Sequence, residues 1–174
     1  MRRPTVEAIR QFHLAIPVRD LEEARRFYRD VLGASEGRST PNFIDFNFYG
    51  HHLVLHAAPD DGRLFHTFRS DFHGEEVQVP HFGMNLDGEA WRTLAERIKS
   101  HRYPFFDPPH IRLEGKPGEH ATLFVRDPSG NALEFKAFRN HDEVFSKIFD
   151  PKTKDLLGLE KLAVNLDGDD GNAE

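Results

Sequence analysis

The 174-residue sequence contains no cysteine. That excludes disulfides, thiolate metal ligands and a cysteine nucleophile. It also lacks any apolar run long enough for a membrane-spanning helix, and its first residues lack the charged-then-apolar order of a secretory signal. Surplus positive charge is missing as well. The formal net charge is -6 and the pI about 6.0, which argues against nucleic acid or an anionic membrane surface as the main partner. These absences together fit a reducing, cytoplasmic setting. Present in quantity are sixteen phenylalanines, ample for a core, and eleven histidines. Many His with no Cys directs attention to imidazole and carboxylate metal chemistry. The length suits one domain, or two small modules sharing a core.

Residues 1–10 read as a basic, irregular arm. Gln11 to Val18 has the apolar density of a strand, with Pro17 marking an end or an edge. Asp20 is placed to cap a helix whose apolar positions, Leu21, Ala24, Phe27, Tyr28, Val31 and Leu32, keep three-to-four spacing until Gly33. Asn42–Phe48 and His52–Ala58 then form a hairpin around Tyr49-Gly50-His51. After a polar connection, Pro59 to Gln78, the order recurs. Val79–Leu86 is a strand, and Asp87 caps a helix carrying Trp91, Leu94, Ala95 and Ile98. A Pro-rich stretch from Pro104 to Pro109 follows, with Pro104–Glu119 expected to be mostly irregular apart from a strand candidate near Ile111. His120–Val125 and Ala132–Phe138 flank Asp127-Pro128-Ser129-Gly130, a turn in which Pro sets one corner and Gly accepts positive φ at another. Beyond Phe138, residues 141–149 suggest a short helix and the acidic, Gly-rich end to residue 174 a solvated tail.

The halves align by hand. Phe12-His13-Leu14-Ala15 matches Pro80-His81-Phe82-Gly83, and His52-Leu53-Val54-Leu55 matches Ala132-Leu133-Glu134-Phe135. Each half reads β-α-β-β-β, repeated after roughly seventy residues. The expected class is α+β, with paired βαβββ modules (about 11–58 and 79–138) forming a curved mixed sheet around a cleft.

His13 and His81 occupy matched first strands, and Glu134 lies on the last strand of the second module. On its hairpin alone, Glu134 reads equally well as a solvated residue on the outer face of a half-exposed sheet. A lone His on an apolar strand is usually a hydrogen-bonded core residue. Two at matched positions, with a carboxylate on the fitting hairpin, form the two-His, one-carboxylate set favoured by non-haem Fe(II) and compatible with Mn(II) or another divalent metal.

Three segments resemble the vicinal oxygen chelate superfamily, which includes glyoxalase I, extradiol dioxygenases, fosfomycin-resistance transferases and bleomycin-binding proteins. They are Phe12–Leu21, Arg26–Gly33 and Asp127–Glu134, within a resemblance spanning about residues 11–138. The resemblance implies a metal held by His13, His81 and Glu134 in a domain of about 11–140, with modules pairing within one chain or across a homodimer. Glyoxalase-like members place a fourth ligand where this chain has Val54, which cannot bind metal. Three protein ligands match the extradiol pattern, so the resemblance implies an Fe(II)-dependent, ring-cleaving type of dioxygenase using O2 on a small vicinal-oxygen substrate. A glyoxalase- or fosfomycin-resistance-like lyase, isomerase or transferase remains the alternative, as does a non-catalytic ligand-binding module.

One departure concerns the strand before the final hairpin. Extradiol members carry a Tyr there, and the matching residue is Phe124, without a hydroxyl. Histidines are the candidates to replace it in proton transfer, because imidazole titrates near neutrality. His52 and His56 share the strand face of Val54, and His120 that of Phe124. His66 and His73 lie in the connection where dioxygenases of this type place an acid–base His. His66, His120 and His56 are the expected catalytic residues.

Overall fold

The computed structural model describes residues 10–58, 67–72, 75–116 and 118–145. The chain divides into two compact units, 1–64 and 65–174.

The first unit runs β1 (His13–Val18), α1 (Leu21–Arg26), β2 (Ser35–Thr40), β3 (Phe43–Phe48) and β4 (His51–Ala57). Its sheet has the order β1-β4-β3-β2, with β1 parallel to β4 and the other pairs antiparallel. Asp20 caps α1 as expected, its carboxylate accepting from the backbone N–H groups of Glu22 and Glu23. The helix then widens into a π-helical turn over Phe27–Val31, where the Leu32 N–H reaches back to the Phe27 carbonyl at 3.0 Å. The widening buries two consecutive aromatics, Phe27 and Tyr28, and the Tyr28 ring lies 5.9 Å from Phe46 on the sheet. The β3–β4 connection is a two-residue turn with positive φ at both Tyr49 and Gly50, the backbone that matches sheet twist in a tight hairpin.

The second unit begins with the hairpin β5 (Phe68–Phe72) and β6 (Glu75–Val79). It continues through β7 (Phe82–Asn85), α2 (Gly88–Ser100), β8 (Phe105–Arg112), β9 (His120–Arg126) and β10 (Ala132–Phe138). The sheet order is β7-β10-β9-β8, with β7 parallel to β10. Asp87 caps α2, and Trp91 donates its indole N–H to the Phe135 carbonyl at 2.9 Å, fixing the helix on the sheet. Leu123, Val125, Leu133, Phe135 and Ala137 are fully buried on one face. The opposite face carries Thr122, Phe124, Glu134 and Lys136. Asp127 locks the β9–β10 turn by accepting from the N–H groups of Ser129 and Asn131, and Gly130 takes φ of 90°.

The α+β class and the repeated βαβββ order are those expected from the sequence. Four local features differ from those expectations or go beyond them. Ser35–Thr40 is a strand although it has no apolar residue, because β3 supplies its backbone partners. The connection Pro59–Gln78 contains β5 and most of β6, which satisfy each other's backbone groups, and the expected strand Val79–Leu86 is split, with Val79 ending β6, β7 starting at Phe82 and His81 between them. The Pro-rich segment is largely strand: Pro108 and Pro109 lie within β8, tolerated because β8 is an edge whose register shifts between Asp107 and His110. The expected helix at 141–149 is a single 3-10 turn over His141–Phe145 as far as it is described. The basic arm before Arg10, His66, His73 and the acidic tail lie outside the described residues.

Strand register supports the hand alignment of the halves. Ala15 pairs with Val54 in the first unit, and Gly83 with Glu134 in the second. Gly83 is required there, since a Cβ built on it would collide with the Glu134 carbonyl. Gly83→Ala should therefore push β7 from β10 and cost about 2–3 kcal/mol, the upper part of the over-packing range. A drop of that size in the unfolding free energy measured by urea denaturation would verify it, and an unchanged free energy would refute it.

Candidate functional site

Glu134 is the most constrained polar residue of the second unit. It is 5 % exposed, so the solvated alternative open from sequence does not hold. Three side chains converge on its carboxylate. His81 Nε2 lies 3.1 Å and Lys136 Nζ 2.9 Å from Oε2, and the Thr122 hydroxyl donates to Oε1 at 2.9 Å. Burial alone would raise its pKa, but the hydrogen bonds from His81, Lys136 and Thr122 and the charge of Lys136 outweigh it and pull the pKa down to about 2. The carboxylate is held ionised.

His81 is positioned from both ends of its ring. Nδ1 sits 2.6 Å from the Gln78 carbonyl, an arrangement in which Nδ1–H donates and Nε2 faces Glu134. Its pKa is raised, chiefly by the hydrogen bond to Glu134, against the opposing effect of burial. Phe124 packs edge-on against His81 with ring centroids 5.4 Å apart. The residue without a hydroxyl thus serves as the wall that fixes His81. Behind Phe124 stands the buried Arg112, which bonds Asp107 at 3.1 Å and places its guanidinium 5.7 Å from the Phe124 centroid. Arg126 lies over Phe106 at 3.7 Å and reaches the Gln78 side chain at 2.7 Å.

His120 is 3 % exposed and shares the sheet face of Glu134, four cross-strand pairs further along. Nδ1 lies 2.8 Å from the Gly118 carbonyl, whereas Nε2 is buried with no hydrogen-bond partner among the described residues. Burial lowers its pKa, which keeps it neutral.

The first unit holds His13. Its Nδ1 lies 3.0 Å from Nδ1 of His52, and His52 Nε2 lies 3.3 Å from Oδ1 of Asp45, a nearly buried carboxylate on β3. Arg38 Nε donates to Oδ2 of Asp45 at 2.7 Å. Burial opposes ionisation of Asp45, yet Arg38 and His52 together hold its pKa below the ordinary value. Val54 is buried opposite Asp45, and His56 is exposed beside Phe43.

The structure therefore puts His81 and Glu134 in direct contact within one unit and His13 against His52 in the other. Among the described residues, no three His, Asp or Glu side chains by themselves gather into a group that could hold a metal ion. His66 lies outside the described residues. Sequence reading missed Thr122, Gln78 and Asp45. The first and last could have been found by pairing strands, since Thr122 faces Lys136 and Asp45 faces Val54. The Gln78 contact uses a backbone carbonyl and leaves no trace in residue type.

The sequence profile of the Glyoxalase/Bleomycin resistance protein/Dioxygenase superfamily matches residues 10–135. The chain belongs to that superfamily. A glyoxalase/bleomycin resistance protein/dioxygenase from Alicyclobacillus acidocaldarius is 35% identical, with 83% of this chain and 100% of that chain covered and a TM-score of 0.65. Lactoylglutathione lyase from Agrobacterium tumefaciens is 19% identical over 83% of this chain and 99% of that one, TM-score 0.52, and shares the fold. So does a mutant of the fosfomycin resistance protein FosX from Listeria monocytogenes, complexed with Mn(II) and 1S,2S-dihydroxypropylphosphonic acid, at 16% identity, 80% and 98% coverage and TM-score 0.58. No curated protein matches. Among the described residues no helix is long and apolar enough to cross a membrane.

The Glu134 cluster sets a pH dependence. A depressed carboxylate pKa contributes stability above its ordinary value of 4.5 that is lost as pH falls toward about 2. The raised His81 pKa contributes below its ordinary 6.5 and is lost as pH climbs through the raised value. In metal-free protein, Glu134→Gln should cost about 2 kcal/mol, with the difference from wild type largest between pH 4.5 and 6.5. Urea unfolding across the acid and neutral range measures this, and a difference flat with pH would contradict it.

Proposed function

We propose that the protein is a divalent-metal-dependent enzyme acting on a small substrate with two adjacent oxygens, and that His13, His81 and Glu134 hold the metal. The observation that carries the reading is Glu134, a buried carboxylate kept ionised with the Nε2 of a carbonyl-anchored His against one oxygen. A metal-ligating His characteristically donates its other ring N–H to a carbonyl or carboxylate, as His81 does to Gln78. Two imidazoles and a carboxylate fit Fe(II) or Mn(II) better than Mg(II), which prefers all-oxygen ligands. In the metal-free protein Lys136 and His81 supply the positive charge that offsets Glu134.

Within this reading the favoured reaction is extradiol-type dioxygenation with Fe(II) and O2. Three protein ligands, with Val54 where a fourth would stand, leave room for a chelating substrate and a second small molecule. The bound metal would supply Lewis acidity toward the vicinal oxygens and a place for O2. His120 accepts a proton through its unpartnered, neutral Nε2. Phe124 and Phe106 form the apolar wall against a planar substrate. His56, exposed on β4, is the weaker proton carrier.

Phe124 also favours a second reading. A phenyl ring cannot hydrogen-bond a phenolate, and a lyase, isomerase or transferase acting on a non-aromatic substrate has no need of that bond. Oxygen uptake separates the two. Anaerobically purified protein should bind one equivalent of metal, with His13→Ala, His81→Ala and Glu134→Ala each losing it while keeping the wild-type circular dichroism spectrum. Bound iron with catechol- or hydroquinone-dependent O2 consumption would establish the dioxygenase. Manganese, nickel or zinc without O2 uptake would establish the second reading, and metal retained by all three variants would refute the site.

A further inference from the structure

We propose that Arg126 is a binding residue for the carboxylate of a small ligand, on the sheet face that carries Glu134. The residues that build this subsite all belong to the second unit, and no metal takes part in the contact.

Strand alternation fixes where Arg126 stands. On β9, Thr122, Phe124 and Arg126 share one face, and Phe124 is the cross-strand partner of Glu134. The backbone of Arg126 is fixed on both sides. The Tyr103 hydroxyl donates to its carbonyl at 2.7 Å, and the turn locked by Asp127 follows directly. The guanidinium is fixed as well. It lies over the half-buried Phe106 ring at 3.7 Å, and its Nη2 donates to the side-chain oxygen of Gln78 at 2.7 Å. Gln78 is buried, and its backbone carbonyl is the one 2.6 Å from His81 Nδ1. One residue thus touches both Arg126 and His81, which places the guanidinium at the same site.

The nature of its partners sets Arg126 apart. Arg25, Arg29, Arg38, Arg112 and Arg139 are each held by a carboxylate. Arg126 is held by an amide oxygen and a ring face, both uncharged. Among the described residues no carboxylate pairs with it, and its Nε and Nη1 groups have no hydrogen-bond partner. The acid beside it in sequence, Asp127, is buried and occupied by the N–H groups of Ser129 and Asn131. An exposed arginine ordinarily loses rotamer freedom when it grips a ligand, and Phe106 and Gln78 have already imposed that loss here. What remains is a full positive charge and a planar edge of N–H donors, the match for the two oxygens of a carboxylate. One guanidinium balances one negative charge, so a monocarboxylate fits it better than a dianionic phosphate. With a formal net charge of -6, the chain as a whole repels anions, and recognition of one has to be local.

Benzoate, its uncharged isostere benzamide and inorganic phosphate are the probes. They are titrated at constant ionic strength into full-length protein stripped of metal by a chelator that is then dialysed away. Side-chain 15N–1H spectra report the Arg126 Nε–H signal, assigned by its absence from Arg126→Lys. Benzoate should move that signal saturably and bind about 10-fold more tightly than benzamide. In Arg126→Gln, followed on the Gln78 side-chain amide, benzoate should bind about 10-fold more weakly than in wild type. Arg126→Lys, which keeps the charge and loses the planar fork, should fall between them. A wild-type Arg126 signal that benzoate does not move, or moves no more readily than benzamide does, overturns the proposal even if no variant folds. Benzoate binding of wild-type strength in Arg126→Gln also overturns it, and phosphate binding tighter than benzoate overturns the carboxylate assignment. Since no metal is present, these outcomes stand or fall separately from metal binding by His13, His81 and Glu134.

Discussion

An ionised carboxylate out of water is costly unless its lone pairs and charge are met, and the second unit is built around meeting those of Glu134. Thr122 takes one oxygen while His81 and Lys136 share the other. The three partners come through two strand contacts. Thr122 and Lys136 face each other across β9 and β10, and His81 is brought in by the parallel pairing of β7 with β10. That pairing in turn needs the bare backbone of Gly83. Phe124, Phe106, Arg112 and Arg126 pack beside the cluster, while His81 and Lys136 stay partly exposed.

The first unit repeats the frame and changes the chemistry. Val54 stands where register equivalence would place a Glu, and the carboxylate appears one strand over, at Asp45, opposite Val54. A carboxylate there does not face His13 directly. It meets His52, which meets His13. The duplicated scaffold thus places its buried carboxylates differently, Glu134 on the last strand of the second unit and Asp45 one strand over in the first.

Much of the fold could be read from residue types because the decisive signals are local. Asp20 and Asp87 announce helix starts, Gly33 an end, and Tyr49-Gly50 and Asp127–Gly130 the hairpins. The repeat made His13 and His81 comparable before any coordinates. What stayed hidden depends on partners distant in sequence. Ser35–Thr40 has no amphipathic pattern and becomes a strand only because β3 is beside it. The prolines of β8 suggested irregularity, and only the position of that strand at the sheet edge makes them compatible with pairing. The polar shell of Glu134 was half visible: Lys136 shares its face by simple alternation, whereas Thr122 and the Gln78 carbonyl require the register and the path of the chain. Asp45 was passed over because its contact with His52 is diagonal, two residues from Val54, which stands directly opposite.

The prolines of β8 also bear on self-association. An exposed sheet edge recruits another chain by offering alternating donors and acceptors, and Pro108 and Pro109 leave β8 without an N–H at two adjacent positions, whose backbone groups point to opposite sides of the strand. A strand arriving there would miss a donor at the proline that faces outward, and the register shifts between Phe105 and His110 interrupt the ladder beside it. The β8 edge is thus a poorer template for edge-to-edge addition than a regular strand would be.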